Sequence, residues 1–439
     1  MAHPLFAARH KLEPFWLDDT PAPALGTPDP PGSADVAVVG SGYTGLTAAL
    51  TLAREGRGVV VFDAEAAGYG CSSRNGGQCG GGLKPGFDRL SARYGKVRAL
   101  AMYREARASL EYLAELVERE AIACHFSRPG RFIGAHRPGH YETLARDFET
   151  LRREVGLECH AVPRAEQHGE IGSDIYYGGG VIAGHAALHP ALYHRGLLER
   201  ALDAGVVVVP HTPVTRIERA GAGFAVTHGR GTLAAGNVIV ATNGYTNAHA
   251  HGRGPVLPAL RRRVIPIGSY MIATEPLAPG VMERLIPNDR VLSDTRQVVL
   301  YYRSSPDRRR LLFGGRVALA ETDPGTSGPK LHAIMSAIFP ELGATRISHS
   351  WMGFVAYTFD HLPHLGVHDG LHFAMGYCGT GVAMASWLGH KVALKVLGAP
   401  EGATAFDDLA FRTRPFYRGT PWFLAGAVLY YRLRDHLAR

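Results

Sequence analysis

The chain has no apolar run long enough to cross a membrane. The longest near its end, WFLAGAVLYY (422–431), is about half of the roughly 20 residues a spanning helix needs, and is expected to pack on the protein or touch a membrane surface weakly. The opening MAHPLFAARHKLEPFW has neither an apolar core nor an Ala-x-Ala-like exit, so no secretory leader is read there. Cysteine is scarce. Cys71, Cys79, Cys124, Cys159 and Cys378 are odd in number and lack metal-ligand spacing, which argues against a disulfide framework and a zinc site and makes a reducing cytoplasm the simplest compartment. Tight basic clusters are nearly absent too: RRR at 261–263 and at 308–310 are the only ones, although 47 Lys+Arg against 39 Asp+Glu leave a net charge of +8. No basic stripe interleaved with aromatics appears, so no nucleic-acid partner is expected, and the surplus charge suits anionic substrates.

What the chain does have is length, 439 residues with 46% apolar content, enough for about two to three domain-sized units. Residues 1–34, rich in Pro and Ala, are an extended lead-in. DVAVVG, GLTAALTLAREG and GVVVFD then give buried strand, helix and buried strand, a βαβ unit. Amphipathic spacing predicts helices over 98–120 and 140–156, with a hairpin in CHFSRPGRFIGAHRP between them. VIPIGSYMIATEPL, QVVLYYRSS and RRLLFGGRVAL predict strands of a second sheet. The expected fold is α/β: a Rossmann-like nucleotide-binding domain (35–97, 186–254 and 346–400) interleaved with an α+β substrate domain (98–185 and 255–345) carrying a mostly antiparallel sheet, and a C-terminal helical segment (401–439).

The chemistry is concentrated in GSGYTG. Gly40 permits the tight turn after the first strand, Gly42 lets backbone approach a pyrophosphate, and Gly45 lets helix and strand pack closely; Tyr43 and Thr44 begin the helix whose free N–H groups face that phosphate. Asp63, followed by Ala64, ends the second strand where an acid accepts hydrogen bonds from ribose hydroxyls. NAD and FAD share this fingerprint. The glycine-dense AEAAGYGCSSRNGGQCGGGLKP (64–85) suits a chain running along an extended flat ligand, which favours FAD.

With these residues on the page the chain resembles the D-amino-acid-oxidase-like FAD-dependent oxidoreductases, in the branch that contains gamma-glutamylputrescine oxidase. The resemblance rests on VVGSGYTGL, GYGCSSRNGGQ, VIVATNGYT, VIPIGSYMIATEPL, WMGFVAYTFDHLPHLG and HFAMGYCGTGVAMASWLGHKVA, in that order. It implies that Ser72, Ser73, Arg74, Asn75, Gly76, Gly77 and Gln78 line the flavin, that the Val214 backbone meets the adenine side, and that Thr242 and Gly244 pass the ADP moiety. Gly379, Thr380 and Gly381 precede a helix of about four turns, whose positive end would favour negative charge on the reduced flavin.

Relatives that attach FAD covalently do so through a cysteine near the position of RRRLLFGGRVAL or a histidine in the flavin loop; neither is present, so FAD is expected to be non-covalent. Sarcosine oxidase carries a lysine after its G-x-G to hold a substrate carboxylate, where this chain has GTGVAMAS. A cation from elsewhere, Arg303 or one of Arg261 to Arg263, is the candidate to replace it. Tyr270, Tyr301, Tyr302, Trp351 and Tyr377 are candidates for an apolar aromatic wall that disfavours the ammonium form of an amine, two of the five being expected to serve. The loop NAHAHG (247–252) is read as solvated, and His361 and His364 as structural. No metal site and no catalytic side chain is assigned. The expected activity is oxidation of a small-molecule amine of the gamma-glutamylputrescine type, with oxygen as acceptor. The alternatives are a dehydrogenase feeding a quinone and an FAD-binding subunit of a larger complex.

Overall fold

The computed structural model describes residues 3–20, 23, 25–26, 28–246 and 257–437, so NAHAHG lies outside the described residues. The βαβ unit forms as its pattern requires. Ser33–Val39, Val59–Phe62 and Val207–Val209 run parallel side by side, and Gly231–Val240 joins Ser33–Val39, also parallel. This eight-stranded sheet continues into an antiparallel excursion, Val214–Ala220 with Gly223–His228, and gains the pair His364–His368 and Leu371–Met375. The strands are continuously apolar because both faces are covered. Val36, Val38, Val59 and Val61 pack under helices with Leu46, Leu197 and Leu388, whereas Ala37, Val39, Val60 and Phe62 pack against Val226 and Leu233 of the excursion.

Helix Tyr43–Arg54 and helix Gly381–Val396 press together where a Cβ on Gly389 would lie only 2.4 Å from Thr44 O. Their starts are tied by Thr44 Oγ1 and Tyr377 OH, 2.6 Å apart. One missing side chain therefore lets the start of the first helix lie against the middle of the second.

The second sheet has nine strands in the order Phe6–Lys11, Ile347–Tyr357, Ile265–Thr274, Leu311–Gly315, Tyr301–Ser304, Val291–Asp294, Arg131–Gly134, Gly179–Ile182, Cys159–Val162. Its pairs are antiparallel except the first and the one joining Val291–Asp294 to Arg131–Gly134. One face is a core in which Phe132, Leu292, Tyr302, Phe313, Ile272 and Tyr270 meet Leu331 and Met335 of helix Pro324–Ile338.

Two expectations are corrected here. The strand Ile347–Tyr357 belongs to this nine-stranded sheet, pairing with Ile265–Thr274 from Ile265↔Tyr357 to Thr274↔Ile347, so the sheets do not part at residue 346. No hairpin forms in CHFSRPGRFIGAHRP: Arg131–Gly134 is a single strand whose neighbours come from 291–294 and 179–182. The helices stand near their expected places, Lys96–Arg119 and Pro138–Val155, the latter stopped by Gly156 at φ 67°. Phe6–Lys11 sews the lead-in to the sheet edge, and Trp16 behind it is fully buried. Among the described residues no helix is long and apolar enough to cross a membrane.

Candidate active site

The glycine turn is as tight as its three glycines allow. A Cβ on Gly45 would stand 1.9 Å from Gly40 O, and one on Gly40, whose φ is +106°, would stand 2.9 Å from Ala241 O. Gly42 caps the helix without a side chain of its own, and the Tyr43 N–H instead donates to Ser72 Oγ at 3.0 Å. Asp63 is not idle beside this turn. Its Oδ2 accepts from Ser41 N–H at 2.9 Å and from the Ser41 hydroxyl, and its Oδ1 accepts from Glu65 N–H at 3.0 Å. Burial nonetheless raises the Asp63 pKa, so further donors to this carboxylate are worth having. Thr212 N–H donates to Asp63 O at 2.7 Å, which draws the buried Val214 backbone and the strand behind it to the acid. Thr242 and Gly244 follow the strand Gly231–Val240; a Cβ on Gly244 would meet Phe354 O at 2.5 Å.

The loop from Cys71 to Gln78 is pinned across one face of the nine-stranded sheet. Ser73 Oγ donates to Gly68 O; Asn75 Nδ2 donates to Cys71 O at 3.0 Å and Asn75 Oδ1 accepts from Gly77 N–H at 2.8 Å. Among the described residues Arg74 makes no salt bridge: its guanidinium lies 4.4 Å over the Tyr69 ring and its Nε donates to Tyr69 O. Gly76 passes under Tyr301 and Met271, and Gln78 Nε2 donates to Leu292 O and Tyr302 O. At the opposite rim Gly379 has φ +96°, Thr380 offers its helix no side-chain cap, and Gly381 opens Gly381–Val396. The first-turn N–H groups of that helix thus lack an intrahelical partner.

Strand alternation sorts the aromatic candidates. Cross-strand register puts Ile133, Ser293, Tyr301, Gly314, Met271 and Trp351 in one row on the face that carries the loop. Tyr270 and Tyr302 point to the other face, where their hydroxyls reach Glu321 Oε2 (2.7 Å) and Tyr176 OH (2.8 Å); neither can line a site above the loop. Trp351 is on the right face, but it is fully buried and its Nε1 donates to Arg74 O at 2.9 Å, so it shapes the loop from behind. Tyr377 likewise serves the helix starts, through Thr44 and Ala374 O. The Arg303 guanidinium donates to Gly77 O, Leu188 O and Ser304 O, which makes it a brace of the loop rather than a free carboxylate anchor. Arg263 donates to Phe411 O and Ala259 O, and Arg261 packs on Gly419, in the C-terminal segment.

That leaves Tyr301, whose hydroxyl meets Ser269 Oγ at 2.8 Å, and a residue that sequence reasoning missed, Tyr357. It shares the face of Trp351 and Gly353 by alternation, and its hydroxyl is 4.0 Å from where a Cβ on Gly379 would be. The signal was available in WMGFVAY as every second residue. Burial pushes both phenols up, Tyr301 to about 12, so both stay protonated. His361 stands edge-on to Tyr357, and His364 is a buried partner of Asp360 at 3.1 Å. Among the described residues no cluster suited to a metal ion occurs, and all five cysteines are free.

A glycine turn at a helix start, an acid at the next strand end, a loop laid across a second sheet and a second helix start beside it define a flavin-binding oxidoreductase of the two-sheet kind. The chain belongs to the FAD dependent oxidoreductase family (DAO), whose model matches residues 35–394. It is 31% identical over 408 residues to "Gamma-glutamylputrescine oxidoreductase" of Escherichia coli (strain K12), covering 92% of this chain and 93% of that protein. It is 30% identical over 388 residues to "Probable oxidoreductase OrdL" of Haemophilus influenzae, covering 86% of each. In fold it is similar to glycine oxidase from Geobacillus kaustophilus, with a TM-score of 0.68 at 22% identity over 88% of this chain and 99% of the other. The protein is therefore an FAD-dependent oxidoreductase acting on CH–NH or CH–NH2 groups.

Proposed function

We propose that this enzyme oxidises a gamma-glutamylputrescine-like amine to the imine, which water converts to an aldehyde and the released amine, with oxygen taken to peroxide. Bound FAD would supply the two-electron acceptor for the hydride on the carbon alpha to nitrogen. The chain's own part is placement and desolvation. FAD would lie from Gly40, Gly42, Gly45 and Asp63 along Ser72 to Gln78, with its ring edge at the uncapped Gly381–Val396 helix. Tyr301 and Tyr357, both protonated, would wall the reacting carbon and disfavour the ammonium form, since a charged amine beside buried rings loses its hydration. The observation that carries this reading is this pair of phenol rings facing the loop and the helix start, in a chain aligned almost end to end with the Escherichia coli relative.

The test is anaerobic flavin reduction. Gamma-glutamylputrescine should exceed sarcosine, glycine and D-alanine in kcat/KM, with peroxide formed in air. Efficient turnover of a small alpha-amino acid, with no response to the glutamylated amine, would sink the substrate reading.

A second reading, electron transfer to a quinone at a membrane, has one observation in its favour: Phe416, Trp422, Leu429, Tyr430 and Leu433 are exposed in the C-terminal segment. Flavin reduced by amine but not reoxidised by oxygen would select it. Without such a result the reading is a cytoplasmic enzyme whose C-terminal segment at most touches a membrane.

Non-covalent attachment has its own check. The flavin loop's thiol, Cys71, is pushed up to about 12 by burial and donates to Phe354 O, so it is no nucleophile. Acid precipitation is expected to leave yellow FAD in the supernatant; colour remaining in the washed pellet would contradict this.

A further inference from the structure

The C-terminal segment is held to the rest of the chain from one side. Helix Leu424–Leu437 buries Leu424, Val428 and Asp435, which fall on one line at helical spacing. The Asp435 carboxylate accepts from Gln297 N–H at 3.0 Å and from Val298 N–H at 3.3 Å, and Arg137 donates to Asp435 O. Ahead of the helix the Tyr417 hydroxyl donates to Val264 O at 2.6 Å, and Phe423 packs on Tyr417 and Phe359. These contacts settle the inner side of the segment, and its outer side cannot turn inward without breaking them.

The outer side is apolar over its first two turns, where a surface helix is ordinarily charged. Ala425, Gly426, Leu429, Tyr430 and Leu433 share one exposed arc, and Phe416 and Trp422, which precede the helix, are 87% and 68% exposed. From Gly419 to Tyr431 the chain has no Asp, Glu, Lys, Arg or His. Its flanks are basic: between Leu409 and Arg434 there are five arginines and no acid. Arg412, Arg414 and Arg418 among them are exposed, and among the described residues none of these three is in an ion pair. A contiguous apolar surface edged by charge of one sign marks a docking face.

The charge pattern selects the occupant. A second copy of this chain is a poor cover, because a two-fold contact would set the arginines of one copy against those of the other with no acid of the segment to neutralise them. An anionic bilayer answers both features: Leu and Phe enter the edge of the acyl region, Trp and Tyr rings favour that boundary, and arginines meet the headgroup phosphates. With 14 residues the helix is too short to span, so it would lie in the plane of the surface. We propose that the C-terminal segment is a peripheral anchor that docks this enzyme on an anionic lipid surface through Phe416, Trp422, Leu429, Tyr430 and Leu433, with Arg412, Arg414 and Arg418 at the headgroups. The segment rests on Phe359, just beyond Tyr357, and on Gln297 and Val298, just before Tyr301, so the anchor is joined to both stretches that carry the phenols. The proposal goes beyond the amine-oxidising reading and depends on neither its substrate nor its electron acceptor.

The test is co-sedimentation of the holoenzyme with vesicles of phosphatidylcholine, alone or with roughly a quarter phosphatidylglycerol, at low salt and at roughly 0.5 M salt. Wild type should bind the anionic vesicles at least about tenfold more tightly than the neutral ones, and high salt should weaken that binding. Trp422→Ser combined with Leu429→Ser should lower the affinity at least about tenfold, as should Arg412→Gln, Arg414→Gln and Arg418→Gln together. All these side chains are exposed, so flavin content should stay at the wild-type level and show that each variant is folded. Wild type left in the supernatant with anionic vesicles overturns the proposal. Undiminished binding by the Trp422→Ser, Leu429→Ser variant does so too, since basic surface elsewhere would then hold the lipid. A wild-type dimer in light scattering that this variant splits into monomers, without vesicle binding, also overturns it and assigns the patch to a contact between copies. If gamma-glutamylputrescine leaves the flavin oxidised while wild type still binds anionic vesicles through this patch, the substrate reading fails and the anchor stands.

Discussion

Replacing Gly45 by alanine is expected to abolish FAD retention, leaving less than about one tenth of wild-type flavin in purified protein. A single added methyl carbon would sit 1.9 Å from Gly40 O, 3.1 Å from Gly40 C and 3.2 Å from Val38 Cγ1. The first of these is backbone and cannot rotate aside. It is fixed from the other side as well, because Gly40 N–H donates to Phe62 O at 2.8 Å and a Cβ on Gly40 would already meet Ala241 O. To relieve the clash the helix must move off the strand by more than an ångström, which withdraws its first N–H groups from the phosphates and opens the packing of Leu46 on Val38. The control is Gly139→Ala in helix Pro138–Val155, where a Cβ meets nothing within 4 Å. It should keep its flavin and gain up to about 1 kcal/mol of stability from helix propensity. Normal flavin content in Gly45→Ala would mean that the turn is looser than described.

The second large effect is expected at Asp63. Asp63→Ala should weaken FAD binding by roughly 2–4 kcal/mol, about 30- to 700-fold in Kd measured by flavin titration of apoprotein. Part of this would be loss of the acceptor proposed for the ribose. The rest is specific to this chain, because Ser41 N–H, the Ser41 hydroxyl and Glu65 N–H would all lose the carboxylate they now share. Ser41 is fully buried in the turn, so its donors would have no water to turn to. Ser41→Ala, which removes one donor and leaves the acid, should cost much less, about 1 kcal/mol. Equal affinity in Asp63→Ala and wild type would remove Asp63 from the cofactor site.

Much of this could be read from neighbours along the chain. The spacing of Gly40, Gly42 and Gly45 after DVAVV, with Asp63 at the end of the next apolar run, is a local pattern, and strand, turn, helix and strand form from it where expected. The uncapped start at Gly381 is equally local. Both are short-range because a tight turn and a helix end are built by residues within a few positions of each other. Even the missed Tyr357 obeys a period of two that WMGFVAY displays.

Other features depend on partners far away in sequence. Which face of a strand looks at the flavin loop is decided by what covers the opposite face; helix Pro324–Ile338 takes the Tyr270 and Tyr302 side, and this alone removes two of the five aromatic candidates. Arg303 looks like a carboxylate anchor until Gly77 O and Leu188 O are brought onto its guanidinium. The sequence by itself determined the class of ligand, because a nucleotide turn is made by consecutive backbone; only the tertiary structure decided which side chains stand free beside it, because a charged or aromatic group is available to a substrate only when no buried carbonyl, acid or ring from elsewhere in the chain has already claimed it.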